Sequence, residues 1–113
     1  MNESSTLSKR IKSARLTLGV SQKQLGILAG IDEFVASARI NQYERGVHSP
    51  DLTMATRLAA VLNVPVSYLY EADDDLANLI KVAARLPVIR LNQLVSQLNE
   101  ENPDSILPET QYR

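Results

Sequence analysis

Residues 21–45 read SQKQLGILAGIDEFVASARINQYER, and this stretch decides the fold. Ser21 stands three residues before Gln24, which is the spacing of a capping box at the start of a helix. Apolar residues then follow at helical spacing, so a helix is predicted from Gln22 to Ala29. Gly30 comes next and can adopt a left-handed backbone conformation without a steric penalty. The chain is therefore expected to turn sharply here and to continue in a second helix.

The second helix of this stretch is predicted from Ala36 to Glu44, and Gly46 ends it. Its residues Ile40 and Tyr43 lie on one side and are expected to face the core. The outward side is left with short or polar side chains. They are Ser37, Ala38 and Gln42, nearest the outward face, and Arg39 and Asn41, on its flanks.

A helix with such an outward side can read DNA. An α-helix fits the major groove, where Gln and Asn can form two hydrogen bonds with adenine, Arg can do so with guanine, and Ala can touch a thymine methyl group. On an isolated helix the same residues would be ordinary surface positions. On a helix that follows another helix across a sharp glycine turn, they indicate a DNA-binding function.

Three further helices are predicted around this pair from apolar residues at helical spacing. The first ends at Gly19, the fourth begins at Pro50 and Asp51, and the short fifth spans Val64–Tyr70. Trp is absent and no stretch alternates as a strand would, so an all-α fold is predicted. The stripes expected in the core are Leu7, Ile11, Ala14 and Leu18 in the first helix, Leu25, Leu28 and Ala29 in the second, Leu52, Ala55, Leu58, Ala59 and Leu62 in the fourth, and Val66 and Leu69 in the fifth.

Two more helices are predicted after residue 71, and Pro87 separates them. Asp73, Asp74 and Asp75 suit the first turn of the earlier helix, because negative charge there interacts favourably with the helix dipole. Both helices carry more apolar surface than a five-helix domain needs, so we expect them to bury it against a second copy of the chain. The alternative is that they fold back onto their own domain. The apolar residues are Leu76, Leu79, Ile80, Ala83 and Leu86 before the proline and Leu91, Leu94, Val95 and Leu98 after it.

The predicted organisation has three parts. A DNA-binding domain covers residues 1–71, a helical dimerisation segment covers 72–101, and a flexible tail with two prolines covers 102–113. Up to Tyr70 there are eight basic and five acidic residues, whereas the rest carries four basic and eight acidic residues. The amino-terminal part is thus basic, as expected of a part that meets nucleic acid.

Charges on the first helix have a simpler interpretation. Lys9, Arg10 and Lys12 follow one another closely, and such residues usually form a solvated helix face. We interpret them in this way.

The composition argues against several other classes of protein. There is no cysteine and a single histidine, His48, so neither a disulfide framework nor a metal site is expected. No catalytic triad, phosphate-binding glycine loop or paired carboxylates stand out, so neither an enzyme nor a cofactor is predicted. No apolar run approaches the roughly 20 residues of a membrane span, and residues 1–6 lack a signal-peptide core. We therefore expect a cytoplasmic protein without a membrane partner.

From Leu7 to Leu69 the sequence resembles the phage-repressor and Cro class of helix-turn-helix proteins, the XRE family. Three motifs carry the resemblance, and together they are specific. They are R-L-x-L-G-V-S-Q-x-Q-L-G-x-L-A-G over 15–30, I-x-Q-Y-E-R-G-x-x-x-P over 40–50, and L-x-x-A-x-x-L-A-x-x-L-x-V over 52–64. The resemblance implies a five-helix lambda-repressor-like DNA-binding domain, followed here by one or two C-terminal helices.

The resemblance also implies which residues contact double-stranded DNA. In this family the glutamine that opens the second helix contacts a phosphate or an outer base, the third helix reads bases, and the loop after it grips the backbone. On this sequence the implied DNA-binding residues are Gln22, Lys23, Ser37, Ala38, Arg39, Asn41, Gln42, Arg45 and His48. Without the resemblance, His48 would be an ordinary loop residue. The family further pairs an arginine of the first helix with the glutamate that ends the third, which implies a structural ion pair between Arg15 and Glu44.

One departure from the family pattern concerns the corner between the second and third helices. Twelve residues separate Gly30 from Tyr43, about four more than the family places there, and four residues are close to one helical turn. Either the corner is lengthened or the third helix gains a turn at its start. Asp32 and Glu33 would repel phosphates, so we favour a loop held away from the DNA backbone, with Asp32 as a cap.

The predicted function is that of a sequence-specific transcriptional regulator, a repressor that binds a palindromic operator as a homodimer. The alternative is an antitoxin-like protein whose C-terminal helices hold a protein partner, with DNA binding secondary to that task.

Overall fold

The structure is a computed structural model, and it describes residues 4–102, with side chains from Thr6 onward. These residues form seven α-helices and no strand, so the all-α prediction is confirmed. The helices are α1 (Ser4–Leu18), α2 (Gln22–Leu28), α3 (Ala36–Arg45), α4 (Leu52–Leu62), α5 (Val66–Tyr70), α6 (Asp74–Ala83) and α7 (Val88–Glu101). The tail predicted over 102–113 lies outside the described residues, apart from Asn102.

Local sequence signals explain where the helices begin and end. The capping box at α2 is present: the Ser21 hydroxyl accepts a hydrogen bond from the Gln24 amide, and the Gln24 side chain accepts one from the Ser21 amide. Asp51 caps α4 by accepting from the Met54 amide at 2.8 Å. Gly46 ends α3 in the left-handed conformation, with φ of 74°.

The core is built from the helical stripes that the sequence indicates, with three exceptions. Ile11, Leu25, Ile40, Leu58 and Leu69 are its largest fully buried side chains. The exceptions, which were predicted to be in the core and are not, are Leu18, Leu28 and Leu52, exposed by 44%, 63% and 66%. Each is the first or last residue of its helix, where no neighbouring helix reaches far enough to cover it.

The helices α2 and α3 cross closely at Gly26. A Cβ atom added there would lie 2.7 Å from Cβ of Ala36 and 3.0 Å from its carbonyl oxygen. Real Cβ atoms do not approach other atoms so closely, so the helices would have to separate to accommodate even one methyl group. Glycine at this position sets the distance between α2 and α3.

Gly26→Ala is therefore expected to lower the free energy of unfolding. Crowding at the crossing costs about 1–3 kcal/mol, and the better helix propensity of alanine returns about 1 kcal/mol, so the net loss is at most about 2 kcal/mol. Urea unfolding monitored by circular dichroism measures it, with Lys23→Ala, an exposed position of α2, as the control. A variant at least as stable as the wild type would contradict the crowding.

Arg10 is buried, contrary to our interpretation of it as part of a solvated face. It is only 6% exposed, and its guanidinium donates to the carbonyl oxygens of Glu71, at 2.7 and 3.0 Å, and Ala72, at 3.3 Å. It also forms an ion pair of 2.8 Å with Asp74 and lies over the Tyr68 ring. These carbonyl oxygens lie in the segment after α5 and accept no hydrogen bond within a helix. Arg10 supplies the donors that they need.

The Asp74 carboxylate receives a second cation, because Lys9 Nζ lies 2.9 Å from it. The hydrogen bond from Lys9 and, to a smaller extent, the one from Arg10 lower the pKa of Asp74 below its ordinary value of 3.8. A depressed pKa means that the ionised form is favoured in the folded protein. The resulting stabilisation is present above the unfolded-state pKa and is lost as the pH falls through the lower, folded-state pKa.

We therefore expect Asp74→Asn to lower the free energy of unfolding at pH 7. In acid the substitution should have no effect on it. The difference in unfolding midpoint between the wild type and this variant is expected to be largest above the ordinary pKa of 3.8 and to disappear as the pH falls through the lower, folded-state pKa. Added salt should shrink it, since the carboxylate is exposed. Asp75→Asn removes a neighbouring carboxylate that has no ion pair with any described residue and serves as the control. A difference independent of pH would refute the ion pairing.

The first compact unit of the chain extends to Val82, beyond the domain boundary predicted at residue 71. The reason is that α6 packs on the core: Ala77 is 1% exposed and belongs to the buried cluster, and Ile80 packs against that cluster. The exposed side of α6 carries Leu76 and Leu79.

The helix α7 belongs to a second unit, which begins at Ala83. Pro87 precedes its first turn, and none of its residues is buried. Apolar residues such as Val95 and Leu98 are 49% and 44% exposed. Of the seven described helices, none combines the length and apolarity that crossing a membrane requires.

Candidate nucleic-acid interface

The corner between α2 and α3 is a lengthened loop rather than an extra helical turn. Gly30 turns the chain with φ of 92°, and a tight turn follows. In it, the Asp32 carboxylate accepts from the Phe34 amide at 2.8 Å, and the Asp32 carbonyl accepts from the Val35 amide at 3.0 Å. Asp32 thus caps this turn, as aspartate commonly does, whereas the N-cap residue of α3 is Val35, without a side-chain cap.

The outward side of α3 presents its predicted base-reading residues in two groups. Ser37, Ala38 and Arg39, in the first turn, are exposed, whereas Asn41 and Gln42 are half-buried. The opposite side is closed, because Ile40 and Tyr43 are buried in the core, at 0% and 6% exposure. The helix is thereby held against the domain by its apolar side, with the polar residues on the other side.

Glu44 anchors the end of α3 to α1. Its carboxylate receives Arg15 Nε at 2.6 Å and Arg15 Nη2 at 3.0 Å, and Arg15 Nη1 donates to the Val20 carbonyl at 3.0 Å. The two side chains are 3% and 11% exposed. The hydrogen bond from Arg15 to Glu44 raises the pKa of Arg15, against the opposing effect of desolvation. Two hydrogen bonds from one guanidinium to one carboxylate fix the angle between the two groups as well as the distance between them.

Gln22, at the start of α2, joins the same cluster. Its Nε2 donates to Asn41 Oδ1 at 3.3 Å and to Glu44 Oε1 at 3.1 Å. The sequence analysis did not predict these hydrogen bonds, because the family resemblance implies a role for Gln22 only as a DNA contact. No spacing rule could reveal it, because the partners are 19 and 22 residues away along the chain.

The loop after α3 is also fixed by hydrogen bonds. The amides of Val47 and His48 both donate to the Gln42 carbonyl, at 3.0 and 3.4 Å, so the reversal at Gly46 is closed by its own backbone. Arg45 and His48 are exposed on this loop, close in sequence to the half-buried Gln42.

Positive charge on this side of the domain is free to meet an anion. Lys23 at the start of α2, Arg39 on α3 and Arg45 at its end are exposed, and none of them forms an ion pair with a residue in 6–102. A rigid helix with short polar side chains, bordered by unpaired cations, is an arrangement that can bind phosphates and read base edges together.

Comparison with known proteins agrees with this geometry. The family model described as Helix-turn-helix matches residues 11–69. A crystal structure of the transcriptional regulator BswR is similar, with a TM-score of 0.78 and 47% identity over 82% of this chain and 92% of that one.

Two curated relatives, from Sinorhizobium medicae and Rhizobium meliloti, are each named as an uncharacterized HTH-type transcriptional regulator. Each is 34% identical over 65 residues, which are 58% of this chain and 44% of the relative. The match thus spans less than half the length of these relatives. Both the family and the fold are those of transcription regulators rather than enzymes. The chain belongs to the XRE-type helix-turn-helix family of DNA-binding transcriptional regulators.

Proposed function

We propose that the protein is a repressor that binds a palindromic operator as a homodimer, with α3 of each copy in the major groove. One observation carries the proposal. Exposed Ser37, Ala38 and Arg39 stand on a helix whose other end is locked by the Arg15–Glu44 ion pair. A base-reading helix needs this combination, because hydrogen bonds to base edges discriminate only when the side chains are held in register.

The proposed contacts divide into two kinds. Gln22, Ser37, Ala38, Arg39, Asn41 and Gln42 face bases, and Lys23, Arg45 and His48 face phosphates. The phosphate contacts would supply much of the affinity and make it fall with salt, whereas the base contacts would supply the preference for one sequence. A cytoplasmic location follows from the proposed DNA target.

Selection of bound sequences from a random DNA pool tests the function directly. The expected result is an enriched inverted repeat with half-site centres about one DNA turn, about 34 Å, apart. Log Kd should rise linearly with log salt. If the wild-type protein enriches no sequence, specific operator binding is refuted. An enriched single half-site without a repeat would refute the palindrome.

Gln42→Ala should weaken discrimination rather than binding as such. We expect a loss of about 1–3 kcal/mol on the selected operator and almost none on random DNA, because a base contact lacks a partner on the wrong sequence. Fluorescence anisotropy titrations on both DNAs measure this. Lys23→Ala is the comparison, since removal of a phosphate contact should weaken both and reduce the salt slope. Equal losses on both DNAs for Gln42→Ala would remove Gln42 from the base-reading set.

A further inference from the structure

Phe34 is the most exposed large hydrophobic side chain in the described part of the chain. It is 90% exposed, although it is the single phenylalanine of the protein and lies in the turn that the chain inserts between α2 and α3. Leaving one large apolar side chain in water forgoes the stabilisation that its burial would give. No described residue covers it.

The backbone that carries Phe34 is nevertheless fixed. Its amide is held by the Asp32 carboxylate at 2.8 Å, and the amide of the next residue is held by the Asp32 carbonyl at 3.0 Å. The Val35 carbonyl in turn accepts from the Arg39 amide at 2.9 Å, so the turn runs directly into α3. A side chain at this position is presented from a defined place rather than from a loose loop.

That place is the leading end of the proposed base-reading helix. Phe34 lies two residues before α3 begins, and the exposed residues Ser37 and Ala38 follow in the first turn. Asp32 and Glu33 precede it and are exposed, and their carboxylates disfavour a position against the phosphates. The base edges of the groove carry apolar groups as well as polar ones, since each thymine presents a methyl group.

We propose that Phe34 is a specificity-determining residue that packs against the methyl group of a thymine in the major groove. The inference rests on the proposed operator binding and adds to it a contact that lies outside α3. It gives the inserted turn a role, because the insertion places a large apolar side chain in front of a helix whose first turn presents only Ser37, Ala38 and Arg39 outward. The exposed side chain thus contacts DNA rather than another protein.

The test combines a change in the protein with a change in the DNA. After selection of the operator with the wild-type protein, each thymine is replaced in turn by uracil, which removes only the methyl group. At one thymine per half-site the wild type should lose about fourfold in affinity, the effect of roughly one buried methyl group. Phe34→Ala removes the contact from both half-sites, so it should lose at least about 16-fold on the unmodified operator, fourfold for each methyl group. It should also be insensitive to uracil at that thymine.

Two matched controls accompany this cycle. Leu16→Ala, which shortens another exposed apolar side chain on α1, should leave operator affinity unchanged. Phe34→Ala should retain the unfolding midpoint and the salt slope of the wild type, because the side chain is exposed and uncharged. These readouts separate a contact with a base from a structural role.

Several outcomes would overturn the inference. Operator affinity within twofold of the wild type for Phe34→Ala would do so while leaving the proposed function intact. So would a loss that is equal on random DNA, or uracil effects that persist unchanged in Phe34→Ala at every thymine. A smaller particle mass by light scattering for Phe34→Ala without DNA would assign the side chain to a protein contact instead. If the wild type enriches no operator, the proposed function fails first and this inference fails with it.

Discussion

Glu44→Ala is expected to lower the free energy of unfolding by about 3 kcal/mol, at the lower end of the range for breaking a buried ion pair. The loss arises because the Arg15 guanidinium, 11% exposed, would keep only the Val20 carbonyl as a partner, at 3.0 Å. Gln22 would lose a partner as well. The substitution thus removes one carboxylate and leaves two donors poorly satisfied.

Urea unfolding of the wild type and Glu44→Ala measures the loss. A double variant with leucine at both positions 15 and 44 is the informative control, because it removes the stranded charge together with its partner. It should recover most of the lost stability. If Glu44→Ala costs less than about 1 kcal/mol, the pair behaves as a surface ion pair and does not lock α3.

The same variants separate stability from DNA reading. The leucine double variant restores stability without the fork geometry, so α3 is no longer held at a defined angle. We expect its affinity for the selected operator to fall more than its affinity for random DNA. Equal affinities for double variant and wild type would show that packing of Ile40 and Tyr43 alone positions the helix.

Leu79→Glu and Leu98→Glu are each expected to weaken operator binding about a hundredfold. The two leucines are exposed by 44% on α6 and by 44% on α7, and in the proposed homodimer a second copy covers them. A charge there would separate the copies. Each copy would then bind its half-site alone and lose the gain of linked binding, which is about 10²–10⁴-fold.

Sedimentation equilibrium of the full chain and titration of whole and half operators check this expectation. Gln97→Glu adds the same charge to the polar side of α7 and is the matched control. A wild-type protein that is monomeric at the concentrations of tight operator binding would refute the homodimer. A monomer that forms a defined complex with a second protein through these leucines would favour the antitoxin-like alternative.

Much of the fold follows from short-range patterns. The capping box at Ser21, the left-handed Gly30 and the stripe around Leu58 are set by residues within a few positions of one another, and the structure has each of them. Helix ends are less predictable. Leu18 and Leu28 continue their stripes in the sequence, but a stripe does not show how far the neighbouring helix extends.

The candidate site depends more on contacts between distant residues. The pairing of Arg15 with Glu44 spans 29 positions, and only the resemblance to a family indicated it. The burial of Arg10 depends on carbonyl groups 61 and 62 positions away, for which the sequence carries no signal. The additional residues at the corner could form either a longer loop or an extra turn at the start of α3. The loop forms because Asp32 makes hydrogen bonds within its own turn.

The hydrogen bonds of Gln22 define the kind of partner it can accept from outside. A glutamine amide has two N–H groups, and in this structure they are directed to Asn41 and Glu44. What remains is its carbonyl oxygen, which can only accept. A phosphate has no hydrogen to give, whereas the exocyclic amines of cytosine and adenine do. While this cluster stays intact, we therefore expect Gln22 to recognise an amino group on a base rather than to grip the DNA backbone.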